Sequence, residues 1–359
     1  MSGASWTKLR LPASSMVNFE SLINQQTSLS DSGLLIIDEN INPYELHARP
    51  GWYALTNRFD QQTQLQSRGW SCTLSDFSWP EALQVDHLIY RISKEKAVVN
   101  HLINLAGQHL TEGARITLFG DKSEGIKSYA RNAQKYLGGE RLEKKLGGDS
   151  WMVELSLGSS IGAVLNDQEY TQLRVVATVG TESLYSKPGV YGWQKIDKGS
   201  QQLIQRLPAM LGADLPIGDF SVLDLGSGSG YLSLAACGPE SQITATDNNV
   251  AAMQATLHSL QQAGMKAQFQ LSNAGEELDG RFDIILCNPP FHSGFGIDYD
   301  LTDRFSKSAA RLLKRDGKAC FVVNQHVPLK RIASNYFNSV ELDLDTSSFC
   351  TYLLTQPKI

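Results

Sequence analysis

The sequence predicts an α/β protein made of two tandem Rossmann-like domains, and three observations carry that prediction. An apolar run, Ser221-Val-Leu-Asp-Leu225, leads into Gly226-Ser-Gly-Ser-Gly230 and then a helical stretch. That is the pattern of a buried strand turning through glycines into a helix, as in doubly wound sheets. Asp224 and Asp247 each stand at the end of an apolar run, where a parallel sheet presents its carboxyl ends to ligands. Finally, the order of candidate strands and helices is the same in both halves of the chain, which points to internal duplication.

Taken in order, residues 1–30 are polar and without a periodic pattern. Leu34–Asp38 reads as a buried strand, followed by shorter candidates near Tyr53–Asn57 and Ser71–Leu74. His87–Ile92 is a strand, and a helix runs from about Ser93 to His109. Arg115–Phe119 is a strand, Lys122–Leu137 a helix, and strands near Glu140–Lys145 and Ser150–Leu157 close the half. In the second half the strands are Ser221–Leu225, Gln242–Thr246, Lys266–Leu271 and Asp283–Cys287. A helix over Thr302–Leu313, the strand Lys318–Asn324 and a short helix near Pro328–Tyr336 follow. Strands near Val340–Leu344 and Phe349–Thr355 end the chain.

The two halves differ where chemistry would be. Leu34-Leu-Ile-Ile-Asp-Glu-Asn-Ile-Asn-Pro43 stands where the second half has its glycine turn, and Arg91-Ile-Ser-Lys94 where it has Asn288-Pro-Pro-Phe291. The N-terminal half therefore keeps the fold pattern and lacks the site. Between the halves, Leu184–Ser200 is rich in glycine and aromatics and leads into an amphipathic helix from about Ser200 to Leu211. It is either a linker, with Ser200 as a helix N-cap, or a lid that folds over the cofactor and meets it through Asp197, Gly199 or Ser200.

Composition narrows the function. The chain of 359 residues carries a net charge of −5, with 42% hydrophobic and 19% charged residues, as a globular protein does. No apolar run reaches the length needed to span a bilayer, and the N-terminus has no apolar core or cleavage site of an export signal. We expect a cytoplasmic protein. The cysteines Cys72, Cys237, Cys287, Cys320 and Cys350 are scattered without metal-ligand spacing, so we expect core thiols and no metal. Basic residues cluster locally: Lys122, Lys127, Arg131 and Lys135, then Arg141, Lys144 and Lys145, and later Lys307, Arg311, Lys314, Arg315, Lys318, Lys330 and Arg331. Such groups usually line a solvated helix face; an RNA-binding face is the alternative.

Asn288-Pro-Pro-Phe291 after an apolar run is the signature of S-adenosylmethionine enzymes that methylate planar amines. An exocyclic amine on a base is a poor nucleophile because its lone pair is delocalised into the ring. The Asn288 side-chain carbonyl and the Pro289 backbone carbonyl would accept its two N–H bonds and favour the pyramidal form. The prolines fix φ and withhold competing N–H groups. Phe291 offers a face for base stacking. Asp247 suits two ribose hydroxyls, and Asp224, Gly226, Gly228, Gly230, Asn248, Asn273 and Ala274 complete the candidate cofactor site.

These pieces resemble one family. Pro188-Gly-Val-Tyr191, Asp197-Lys-Gly-Ser200, the Asp224–Gly230 turn, Asp247, Ser272-Asn-Ala274 and Asn288-Pro-Pro-Phe-His292 occur in the order seen in tandem-domain ribosomal RNA guanine-N2 methyltransferases. Tyr191 stands where the family often has Phe. The resemblance implies two class I methyltransferase domains, a degenerate one over 1–183 that supports catalysis and helps hold RNA, and a catalytic one over 184–359. It implies S-adenosyl-L-methionine as cofactor and methylation of one guanosine N2 in ribosomal RNA, naked or in a subunit, by a monomer. The small-subunit RNA is the first choice of target and the large-subunit RNA the second. His292 is expected to have a structural or substrate-positioning role rather than to act as a base, because an amine attacking a sulfonium can lose its proton to water afterwards. A glutamine or DNA-adenine methyltransferase is disfavoured by Phe291 and the tandem layout, and a silent assembly factor by intact Asp224, Asp247 and Asn288.

Overall fold

Apolar runs on both strand faces, separated by helical segments, dictate parallel sheets covered on both sides. The structure is a computed structural model; it describes residues 17–290 and 295–358, without the side chains of 295–298. The first half holds α1 (Phe19–Thr27), β1 (Gly33–Ile37), β2 (Trp52–Thr56), α2 (Phe59–Ser67), β3 (Ser71–Leu74), β4 (His87–Arg91) and α3 (Lys96–His109). It continues with β5 (Arg115–Asp121), α4 (Ile126–Leu137), β6 (Gly138–Gly147) and β7 (Ser150–Leu157). A hairpin of β8 (Arg174–Val179) and β9 (Glu182–Ser186) follows, then α5 (Lys198–Leu211). The second half holds β10 (Ser221–Leu225), α6 (Tyr231–Ala236), β11 (Gln242–Asp247), α7 (Val250–Gln262), β12 (Ala267–Leu271) and β13 (Phe282–Cys287). It ends with α8 (Phe295–Leu312), β14 (Leu313–Asn324), α9 (Leu329–Ala333), β15 (Phe337–Asp345) and β16 (Phe349–Pro357).

The duplication is explicit in the strand orders. One seven-stranded sheet runs β3-β2-β1-β4-β5-β7-β6 and the other β12-β11-β10-β13-β14-β16-β15. Each has a parallel centre and an antiparallel last pair. Each sheet is thus the same doubly wound unit, with its switch point beside β1 or β10.

Two compact units do not divide the chain at one position. The first comprises Met1–Leu55, Leu65–Cys72 and Trp79–Asn166; the second comprises Thr56–Gln64, Thr73–Ser78 and Asp167–Ile359. Alternation along the second unit's strands explains its core. Leu223, Leu225, Ile285, Cys287, Phe321 and Val323 belong to one buried cluster, and Val222, Ile284, Leu286, Cys320 and Val322 to another. Burying a side chain of this size contributes about 1.5–3 kcal/mol. All five cysteines are free, four of them buried, and burial pushes the Cys237 thiol up to about 12.

Several expectations are corrected. The polar stretch before Gly33 contains α1, whose start is signalled by Asn18 accepting from the Ser21 N–H at 2.7 Å. The helix α2 and the strand β8 had no reading at all in the sequence. The segment Leu184–Ser186, read as linker, is part of β9. Ser200 is not the N-cap of α5: Asp197 is, accepting the Ser200 N–H at 2.8 Å.

The basic clusters also resolve. Arg311 donates to the carbonyls of Gly275, Glu276 and Leu278, Lys314 to Asp283, and Lys318 to the carbonyls of Met210 and Leu211. Lys127 pairs with Glu143 and lies 3.1 Å from the Trp151 ring centroid. These four hold their own units together. Arg131 and Lys135 on α4 are exposed.

One interior charge anchors the second unit. Lys187 is fully buried, pairs with Asp76, donates to the Pro188 carbonyl at 2.8 Å and sits 3.7 Å from the Tyr170 ring centroid. Tyr170 Oη donates to the other Asp76 oxygen at 2.6 Å. Removing one member of a buried pair leaves an uncompensated charge, so Asp76→Ala should destabilise this unit by about 3–5 kcal/mol in urea melts. Asp76→Ala/Lys187→Met should recover most of that loss, because no buried charge is then left over.

Candidate active site

Strand register builds the site. Leu225 is level with Thr246 on one side and Cys287 on the other. Each strand's next element therefore emerges at the same sheet edge: the glycine turn after β10, Asp247 at the end of β11, and Asn288 after β13. Asp224 lies one residue back on the middle strand, flanked by Ala245 and Leu286.

The turn is fastened to β11. The N–H groups of Gly226 and Ser227 both donate to the Thr246 carbonyl at 2.9 Å, and Gly228 N–H donates to Asp247 Oδ2 at 3.0 Å. Gly226, Gly228 and Gly230 have φ of 80°, 56° and 85°, the left-handed region that glycine enters without cost. Their surroundings differ. A Cβ on Gly230 would lie 3.0 Å from Thr256 Cα, and one on Gly226 3.2 Å from the Phe305 ring. A Cβ on Gly228 would meet nothing within 4 Å. Two glycines thus serve close packing, and the middle one leaves open space beside Asp247.

Asp224 is fully buried and Asp247 half-buried, with different consequences. Asp224 Oδ2 accepts from Ser233 Oγ at 2.6 Å and Ser233 N–H at 3.2 Å, while Oδ1 has no partner. Burial pushes its pKa up to about 6; the Ser233 hydrogen bonds oppose this and the nearby Asp247 charge adds to it. Asp247 Oδ1 accepts from Asn249 N–H at 3.0 Å. Burial raises the Asp247 pKa as well, against hydrogen bonds from Gly228 and Asn249 and the Arg58 charge.

The next side chain is held from the segment Thr56–Gln64 of the same unit. Asn248 Nδ2 donates to Asp60 at 3.2 Å, its Oδ1 accepts from Arg58 at 3.5 Å, and its carbonyl accepts from Phe59 N–H at 2.7 Å. Asn57 and Gly189 complete the bracket: Val250 N–H donates to the Asn57 carbonyl at 3.0 Å and Asn249 Nδ2 to the Gly189 carbonyl at 2.8 Å. Asn273 and Ala274 follow β12, where Ser272 N–H donates to the Asp247 carbonyl at 3.0 Å. Ala274 has φ 53°, a conformation disfavoured for a residue with a Cβ and concentrated at functional loops.

Asn288 is anchored on one side only. Its Nδ2 donates to Asp197 Oδ2 at 2.9 Å and Ser200 Oγ at 2.8 Å, while its Oδ1 is buried without a partner. Pro289 is buried and Pro290 exposed. Gly199 serves packing: a Cβ there would lie 3.0 Å from both the Asp197 carboxylate and the Phe349 ring. Phe291 and His292 lie outside the described residues. Arg58, Asp60 and Ser233 were missed by the sequence reading; no motif marks the first two, and Ser233 shows only as a polar residue in an apolar helix.

The first sheet has no such opening. Where β4 ends, Arg91 is buried and donates to the Ile92 carbonyl at 2.7 Å and Glu124 at 2.6 Å. Ile92, which follows β4 as Asn288 follows β13, is buried and apolar. Among the described residues no group of His, Cys, Asp and Glu could hold a metal, and no helix is long and apolar enough to cross a membrane.

Comparisons with known proteins agree with this architecture. The family model for the methyltransferase small domain matches residues 182–352, and that for its N-terminal domain matches 20–144. The ribosomal RNA small subunit methyltransferase C of Shewanella loihica is 26% identical over 277 residues, covering 76% of this chain and 78% of the relative. That of Shewanella halifaxensis is 27% identical over 276 residues, with coverage of 76% and 78%. Among solved structures, the Thermus thermophilus 16S rRNA N2 G1207 methyltransferase (RsmC), in complex with AdoMet and guanosine, superposes with a TM-score of 0.78. It is 23% identical, covers 90% of this chain and 88% of its own, and shares the fold. With both halves matched by the paired family models and two tandem sheets of one topology, the chain belongs to the methyltransferase small domain family and is similar to the small-subunit rRNA methyltransferase C enzymes.

Proposed function

We propose that this chain transfers a methyl group from S-adenosyl-L-methionine to the exocyclic N2 amine of one guanosine in ribosomal RNA, that of the small subunit. One observation carries the chemistry: a buried Asn288 carbonyl oxygen without a partner, following β13 at the same sheet edge as Asp224 and Asp247. The names of the curated relatives support ribosomal RNA as substrate, and the guanosine in the Thermus complex supports the base.

The residues present fit the cofactor. Gly228 leaves room, Asp247 has lone pairs for ribose hydroxyls, and Asp224 Oδ1 offers an acceptor for an ammonium group. Asn248, Asn273 and Ala274 would border the adenine. When bound, S-adenosylmethionine supplies an electrophilic methyl on a sulfonium. The chain's own task is orientation: Asn288 Oδ1 and the Pro289 carbonyl accept the two N–H bonds of the guanine amine and direct its lone pair outward. Phe291 would hold the base by stacking, worth about 1–3 kcal/mol. No general base is required, because the amine sheds its proton to water once the new bond has formed; proximity supplies most of the acceleration.

The first half, residues 1–183, would support the catalytic part, 184–359, and help hold RNA. The Arg91–Glu124 pair and the exposed Arg131 and Lys135 motivate this reading. The direct test is transfer of labelled methyl from S-adenosylmethionine to unmodified 16S rRNA, 23S rRNA and undermodified 30S particles, with mapping of the labelled base. Label on guanine N2 of the small-subunit RNA is the expected result; label elsewhere, or none, would reject it.

Two substitutions test the roles. Asn288→Ala should slow single-turnover methylation by roughly 10²–10³, the effect of losing one preorganised polar group at a reacting centre. Cofactor affinity by calorimetry should change less than about threefold, because the lost acceptor faces the substrate. Asp224→Asn should weaken cofactor binding and yet stabilise the free protein at pH 7.5. The sign follows from the raised pKa: ionised Asp224 penalises folding above pH about 6. That penalty, of order 3 kcal/mol, is relieved as pH falls through the folded value towards the unfolded one near 4. The stabilisation seen in denaturant melts should therefore shrink between pH 7.5 and 4.5.

A further inference from the structure

An asparagine amide presents two chemically opposite ends of nearly the same shape, an acceptor oxygen and a donor nitrogen. A half-turn about its last bond exchanges them, and only the neighbours decide which end faces a substrate. With the nitrogen outward, Asn288 would meet the guanine amine donor to donor and could not orient it.

We propose that Asp197 and Ser200 are positioning residues that lock the Asn288 amide with its oxygen towards the substrate amine. This inference rests on the methyl-transfer reading above. Asp197 Oδ2 lies 2.9 Å from Asn288 Nδ2 and Ser200 Oγ lies 2.8 Å from it, so both amide hydrogens are taken. The two anchors contribute differently. A hydroxyl accepts or donates and would tolerate a flipped amide. A carboxylate only accepts, and would repel the oxygen that a flip would bring to it. Asp197 therefore selects the orientation and Ser200 reinforces it.

The anchor is itself immobilised. The same Asp197 oxygen caps α5 by accepting the Ser200 N–H at 2.8 Å, and the favourable end of the helix dipole stabilises its charge. Gly199 lets the Phe349 ring close against that turn. On the opposite side Asn288 Oδ1 is left buried and unpartnered, a costly arrangement for a free protein. That cost is recovered when the substrate supplies the missing donor.

The test uses the full-length chain, labelled S-adenosylmethionine and unmodified 16S rRNA in single-turnover assays, with cofactor affinity and thermal melts on every variant. Asp197→Ser keeps an N-cap hydroxyl but is too short to reach Asn288; combined with Ser200→Ala it removes both anchors. This pair should slow transfer by about tenfold or more and leave cofactor affinity within about threefold. In an Asn288→Ala background the same pair should cost almost nothing, since there is no amide left to orient. Asn288→Asp should be slower still, because it sets two carboxylates against each other. Ser200→Ala alone, which leaves the cap intact, should give a smaller loss with an unchanged melt. Equal slowing in the Asn288→Ala background would overturn the assignment while the wild-type chain still methylates. Absence of transfer by the wild-type chain would overturn the proposed function and this assignment together.

Discussion

The carbonyl of Thr246 receives two backbone N–H groups, from Gly226 and Ser227, and much of the site follows from that arrangement. It ties the turn after β10 to the end of β11, so the loop cannot lift away from the sheet. Ser272 draws the third strand in, sharing a short hydroxyl contact of 2.5 Å with Thr246 and donating its N–H to the Asp247 carbonyl. Four amides of the turn, those of Gly226, Ser227, Gly228 and Gly230, donate within the protein, and that of Gly228 goes to Asp247.

Polarity across the site is arranged asymmetrically. Asp224 and Asn288 each have one polar end satisfied by the protein and the other left vacant. The satisfied ends fix geometry; the vacant ends raise the free energy of the protein alone. Such buried vacancies are rare in folded proteins, where the great majority of polar atoms find partners. Two of them lie at the carboxyl ends of adjacent strands, where the site is built.

Much of this was legible in the residues, for physical reasons. Continuous apolar runs announced strands covered on both faces, and repetition of their order announced two sheets of one topology. The glycine turn, Asp224, Asp247 and Asn288 could be placed together because a parallel sheet delivers all its carboxyl ends to one side. Other features left no local trace. The helix α1 is short and mostly polar, and its cap is its clearest signal. The bracket around Asn248 depends on Arg58 and Asp60, nearly two hundred residues away in sequence. Asp197 read as a lid residue because its two roles, capping α5 and gripping Asn288, involve one oxygen facing partners far apart in the chain.

The threading of the second unit has a consequence for how such a protein can be inherited. Its chain is discontinuous: Thr56–Gln64 and Thr73–Ser78 belong to it, although they lie within the first half. A gene fusion or deletion that transferred only the later half would part Asn248 from Arg58 and Asp60, and Lys187 from Asp76. The later half therefore carries only part of its own unit: the residues that brace Asn248 and pair with Lys187 are encoded among the strands of the first sheet.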